Sequence, residues 1–89
     1  MIYTLSDTTV TALTPNGTHS GMDITIQNVN ASGYIYVDTH DEVSDTNYGF
    51  RILPNHSISF ELPGKNDLYV IASDNGMECA VISISLESQ

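Results

Sequence analysis

Residues 20–37, SGMDITIQNVNASGYIYV, are the stretch on which the fold turns. Met22, Ile24 and Ile26 alternate with Asp23, Thr25 and Gln27, the period of a strand with one face in a core and the other in solvent. After the polar residues 28–33, Tyr34-Ile35-Tyr36-Val37 gathers the aromatic and β-branched side chains that suit a pleated, half-buried surface. Two such runs joined by a short polar segment ending in Gly33 predict a β-hairpin.

The same device recurs on either side. Residues 2–5 predict a short first strand. Residues 8–14 (TTVTALT), with Val10 and Ala12 on one face, predict an edge strand that Pro15-Asn16-Gly17 ends. Downstream, residues 38–47 (DTHDEVSDTN) read as an exposed acidic loop anchored by Val43. Tyr48, Phe50 and Ile52 then lie on one side of a strand with Arg51 on the other. Pro54-Asn55 turns the chain, and Ile58, Phe60 and Leu62 point inward from residues 56–62. Pro63-Gly64-Lys65-Asn66 is another turn. Residues 68–73 (LYVIAS) are apolar on both faces, which predicts a central strand.

Asp74-Asn75-Gly76 reverses the chain into a closing strand over residues 77–86. Here Ala80, Ile82, Ile84 and Leu86 share one parity, and Cys79, Val81, Ser83 and Ser85 the other. The second set forms a small, partly apolar face that suits contact with another subunit, so a charge at Val81 is expected to impair assembly and spare the fold. No segment carries a helical apolar period. Seven or eight short antiparallel strands predict an all-β chain, a small β-sandwich or jelly-roll-like barrel. Residues 8–89 form its single domain. Residues 1–7 are a short edge strand or an N-terminal arm, whose Ile2, Tyr3 and Leu5 add a strand to a neighbouring sheet edge.

Composition narrows the function classes. A chain of 89 residues, 40% hydrophobic and without Trp, has a small core of the kind that a disulfide, a metal or a partner subunit commonly supports. Cys79 is the only cysteine, so no intrachain disulfide forms, and oligomerisation is the expected support. The net charge is −9, with Arg51 and Lys65 the only Lys or Arg. That balance argues against nucleic acid and anionic membranes and suits docking onto a more basic protein. Neither a secretory leader nor a membrane-spanning run is expected. Asn16-Gly17-Thr18, Asn30-Ala31-Ser32 and Asn55-His56-Ser57 fit the glycosylation pattern but read as turn chemistry.

No reactive constellation stands out. Asp38, His40, Asp41, Glu42 and Asp45 crowd one loop, yet their spacing departs from a calcium loop, and a solvated acidic loop is expected. His19, His40 and His56 lack the HxH pair of a cupin-like metal site. Cys79 has Glu78 beside it and no base, which marks a structural thiol. Ser57, Ser59, Ser83 and Ser85 sit at strand spacing without a nucleophile elbow. Tyr34 and Tyr36, with Tyr69 nearby, read as core rim or subunit interface ahead of a sugar-stacking surface. Neither catalytic residue nor metal nor cofactor is expected.

The order DITIQNVNASGYIYV, NYGFRILPNHSISFEL, LYVIAS and AVISISLE resembles a set of small tailed-bacteriophage virion proteins over residues 8–88. The Leu53-Pro54-Asn55 turn before Ile58, Phe60 and Leu62, and Leu68-Tyr69 before Ile71-Ala72, carry most of the likeness. Where the related chains tend to have glycines after the aromatic strand, this one has Asp38-Thr39-His40-Asp41. The resemblance implies a virion structural protein at the capsid surface. Its implied role is decoration of the shell as a homo-oligomer, a trimer in the favoured case, held to the major capsid protein or another virion protein. The alternative it implies is a tail or fibre component that binds a host-surface glycan. Partner-binding residues expected on these grounds are Ile2, Tyr3, Leu5, Tyr34, Tyr36 and Val81.

Overall fold

The structure, a computed structural model, describes residues 1–14, 21–64 and 66–85. The expected turn at Pro15-Asn16-Gly17, together with His19, Lys65 and Leu86, lies outside the described residues. Alternating and β-branched runs form eight strands: β1 Ile2–Thr4, β2 Thr11–Ala12, β3 Gly21–Asn28, β4 Ile35–Asp38, β5 Phe50–Ile52, β6 Ser57–Pro63, β7 Tyr69–Ala72 and β8 Glu78–Ser85. They make two four-stranded antiparallel sheets, ordered β1-β8-β3-β6 and β2-β7-β4-β5. Strands whose numbers sum to nine are neighbours, from β1·β8 at the ends to β4·β5 in the middle. That is the winding of a jelly roll, an antiparallel ribbon rolled into two packed layers. As expected, β7 is flanked on both sides, by β2 and β4, and Val70, Ile71 and Ala72 are buried.

The apolar face of β3, Met22, Ile24 and Ile26, meets Ile35, Val37, Val70 and Ala72 of the other sheet in one core, which Leu5, Leu13, Ile52, Leu62 and Leu68 complete. The expected hairpin over residues 20–37 does not form. β3 and β4 belong to different sheets, and the segment between them is a corner. Its cause is Asn28, a fully buried polar residue at the end of β3. The Asn28 Nδ2 donates to the carbonyls of Gly33 (3.2 Å) and Ile52 (3.0 Å). Its Oδ1 accepts from the Asn30 backbone N–H (3.1 Å) and from Asn30 Nδ2 (2.7 Å). Those bonds take the place of the ladder a hairpin would have made. Gly33 completes the corner at φ 89°, where a Cβ would stand 2.8 Å from the Met77 Sδ.

The backbone of Asn28 is tied as well. Its N–H donates to the His56 carbonyl and its carbonyl accepts from the Asn55 N–H, each at 2.9 Å. Residues 53–56 form the predicted turn: the His56 N–H bonds the Leu53 carbonyl (3.1 Å), with Pro54 second and Asn55 third at φ 62°. Proline followed by a left-handed residue is what a type II turn requires. Asn30 extends the network, its Nδ2 donating to the Glu78 carbonyl (2.7 Å) and its Oδ1 accepting the Glu78 N–H (3.0 Å).

Two readings of the sequence are corrected here. Met77, just before β8, and Cys79 and Val81 within it point into the core, while Ile82 and Ile84 are 63% and 61% exposed. The register explains it: Cys79 lies opposite the buried Asn28 and Val81 opposite Ile26. A period of two then carries Ile82 and Ile84 to the outside. Val81 is therefore a core residue, not part of an exposed face. The N-terminus is the short strand rather than a reaching arm. Ile2, Tyr3 and Thr4 lie opposite Ala80, Cys79 and Glu78, Leu5 is 2% exposed, and the Leu5 N–H bonds the Met77 carbonyl at 2.7 Å.

These placements set two expected outcomes. Val81→Asp buries an unpaired carboxylate and should unfold the domain or cost more than about 3 kcal/mol, whereas Ile82→Asp should stay within about 0.5 kcal/mol of the parent. Urea denaturation of the pair reads the difference. Asn28→Ala leaves the Gly33 and Ile52 carbonyls unsatisfied and should cost about 2–4 kcal/mol in the same assay.

Candidate functional site

The outer face of the β1-β8-β3-β6 sheet is built by the alternation just described. Ile2 on β1 lies opposite Ala80, and Ile82 and Ile84 on β8 lie opposite Thr25 and Asp23 of β3. Ile2 is 56% exposed, so three isoleucines and an alanine form an uncovered stripe along β1 and β8. Beside it the face turns polar. Thr25 Oγ1 and Ser59 Oγ are hydrogen-bonded at 2.8 Å, and Asp23 and Glu61 lie opposite one another at one end. No Lys or Arg occurs in any of these four strands. Sequence reasoning missed Ile82 and Ile84 because it put the larger parity inward. The usable signal lay in the neighbouring strand. β3 sets the large Ile24 and Ile26 directly beside Ser83 and Val81, and cores interleave large side chains with small ones.

The other sheet has its outer face roofed by its own chain. The β4–β5 connection folds back so that Val43, 2% exposed as its expected anchoring role requires, packs with Tyr36 and Ile71, flanked by Val10 and Tyr69. The Tyr36 and Tyr48 rings lie 4.9 Å apart at a 42° tilt. The Arg51 guanidinium sits 4.8 Å over the Tyr34 ring. Tyr34 and Tyr36 therefore do not form an open pair: Tyr36 is 8% exposed beneath the connection, and Tyr34 is capped by Arg51. Burial first, then the Asp45 carboxylate, raises the Tyr36 phenol above its ordinary pKa.

The acidic loop spends its groups on its own turns. Asp38 Oδ1 accepts the Thr39 N–H (2.7 Å), Asp38 Oδ2 approaches His40 Nε2 (3.2 Å), and His40 Nδ1 accepts the Glu42 N–H (3.2 Å). His56 is exposed at the β5–β6 turn, with its Nδ1 2.9 Å from the Pro54 carbonyl. Among the described residues, no group of three or more His, Cys, Asp or Glu side chains gathers to hold a metal ion. Of the residues expected to bind a partner, Ile2 stands on the bare face. Tyr3 packs against the core, and Leu5 and Val81 are inside it.

The site so defined is a bare, acid-flanked apolar stripe on one layer of a jelly roll whose other layer is covered. Comparison with protein-family models, with characterised proteins and with solved structures gives no match to this chain.

Cys79 is fully buried, and burial pushes its thiol up to about 11, against smaller lowering effects from the Tyr3 backbone and the amino terminus. An unfolded thiol ionises near pH 9, so the folded state holds the proton more tightly. The thiol's contribution is complete below about pH 9 and is lost as the pH rises through about 11. The difference is worth about 2–3 kcal/mol. Denaturation curves between neutral and strongly alkaline pH should therefore fall more steeply for the parent than for Cys79→Val.

Proposed function

We propose that this chain is a structural protein of a tailed-phage particle, a capsid decoration protein that docks as a homo-oligomer on the outer shell. The observation that carries this reading is the uncovered stripe of Ile2, Ala80, Ile82 and Ile84. Transfer of an aliphatic side chain out of water is worth about 1.5–3 kcal/mol when complete. A small core gains from covering such a stripe with a neighbouring copy, and copies joined this way engage a shell through many modest contacts at once.

Jelly rolls occur in viral capsid domains and also in lectins and cupins, so architecture alone does not select among them. The resemblance over residues 8–88 favours the virion. Its two strongest motifs are the turn that bonds the Asn28 backbone and the central strand β7. The glycan-binding alternative rests on Tyr34, Tyr36 and the acidic loop; the capping of Tyr34, the burial of Tyr36 and the loop's own bonds through Asp38 and His40 weigh against it.

The double variant Ile82→Ser/Ile84→Ser should keep the parent's circular dichroism, sediment as a monomer where the parent is oligomeric, and lose co-sedimentation with expanded phage shells stripped of decoration protein. A parent chain that sediments as a monomer and leaves such shells undecorated overturns the proposal.

A further inference from the structure

A concave feature lies on the opposite side of the molecule from the bare isoleucines, at the margin of the roof over the β2-β7-β4-β5 sheet. It is a crevice of about 270 Å³. Asp7 reaches it from the β1–β2 connection, Ser44 and Asp45 from the β4–β5 connection, and Tyr36 from β4. Ile71 and Ala72 of β7 line its apolar part. We infer that this crevice is a socket for one cationic side chain, an arginine, presented by a partner protein.

Ser44 Oγ accepts the Thr46 N–H at 3.3 Å, while three other polar groups around the crevice are unspent. Tyr36 is more than nine-tenths buried and lines the crevice, yet its hydroxyl makes no hydrogen bond within the described residues. The hydroxyl of this largely buried side chain is thus free to bond a group that enters the crevice. The Asp7 and Asp45 carboxylates likewise carry neither hydrogen bond nor ion pair among the described residues. Arg51, the nearby cation in the sequence, is stacked over Tyr34 instead.

Complementarity selects the ligand. Two carboxylates, the Ser44 hydroxyl and the Tyr36 phenol offer acceptors from several directions, and a guanidinium brings five N–H donors in a fixed plane. Ile71 and Ala72 suit the methylene stem that carries it. A neutral polyol would leave both carboxylates without a counter-charge. A hard divalent cation takes six or more oxygen ligands, and these two carboxylates are few for it. The volume fits a single side chain and falls below the range of about 300–1,000 Å³ typical of larger ligands. A chain of net charge −9 would also steer a basic surface toward it.

The socket rests on the reading of this chain as a protein-docking module, but not on which sheet face makes the main contact. Titration of the labelled full chain with N-acetyl-arginine N-methylamide, followed by two-dimensional NMR at low salt, tests it. Saturable shifts should concentrate at Tyr36, Ser44, Asp45, Ile71 and Ala72, with a Kd of order ~1–10 mM. Asp7→Asn/Asp45→Asn, both at exposed positions, should weaken binding about tenfold with an unchanged spectrum elsewhere, and Tyr36→Phe about threefold. The uncharged citrulline amide should not bind. Equal binding of the citrulline amide overturns the inference. So do shifts that spread without saturation over Asp41, Glu42 and Asp74. The titration involves neither Ile82 nor Ile84, so a negative result leaves the sheet-face contact standing. A positive one survives failure of shell binding.

Discussion

Asn28 joins the two layers of this protein. Its amide and backbone together make six hydrogen bonds, to the corner that follows β3, to the end of β5, and to the turn that leads into β6. Every polar atom of the side chain is occupied in a site without access to water. An apolar residue there would fill the volume but leave the Gly33 and Ile52 carbonyls without donors. The cost of an unsatisfied buried group exceeds the net gain from an ordinary hydrogen bond, so the network specifies the corner more than it stabilises it.

The strands were legible in the sequence and their partners were not. Alternation locates β3 and β6 closely, an unbroken apolar run locates β7, and Pro54-Asn55 announces its turn. The failure over residues 20–37 is physical. A hairpin and an inter-sheet corner both need two apolar runs joined by polar residues and a glycine. What separates them is whether an early residue of the joint is buried. Asn28 stands on the inward parity with Met22, Ile24 and Ile26, and that placement was the available clue. The error in β8 has a similar origin. Period two shows that two faces differ, while side-chain size was used to choose between them. Packing against β3 favoured the small set.

The candidate surface was obscured for the same reason. The sequence points to Ile2, but reading the contact face of β8 from its smaller parity picks the core residue Val81 and passes over the exposed Ile82 and Ile84. Once the parity is set correctly the two layers differ plainly. One wears the β4–β5 connection as a cover, held by Val43, and the other, among the described residues, leaves Ile2, Ile82 and Ile84 exposed. Asymmetry of that kind separates a face that the chain satisfies by itself from one left for contact. The crevice beside the cover was invisible in the sequence, because Asp7, Tyr36 and Asp45 come from three separate segments.

The pairing of strands whose numbers sum to nine has a consequence for how the protein is made. Among the described residues, β4 and β5 are the only consecutive strands that are also neighbours, which gives this fold one local place to begin. Each later pair closes a wider loop, until β1 meets β8 across every other described strand. Wide loops are slow to close. While a chain is being synthesised β1 must wait, edge unpaired and Leu5 uncovered, until β8 emerges. The acidic, nearly cation-free surface then has a second use, since mutual repulsion keeps waiting chains from adding strands to one another.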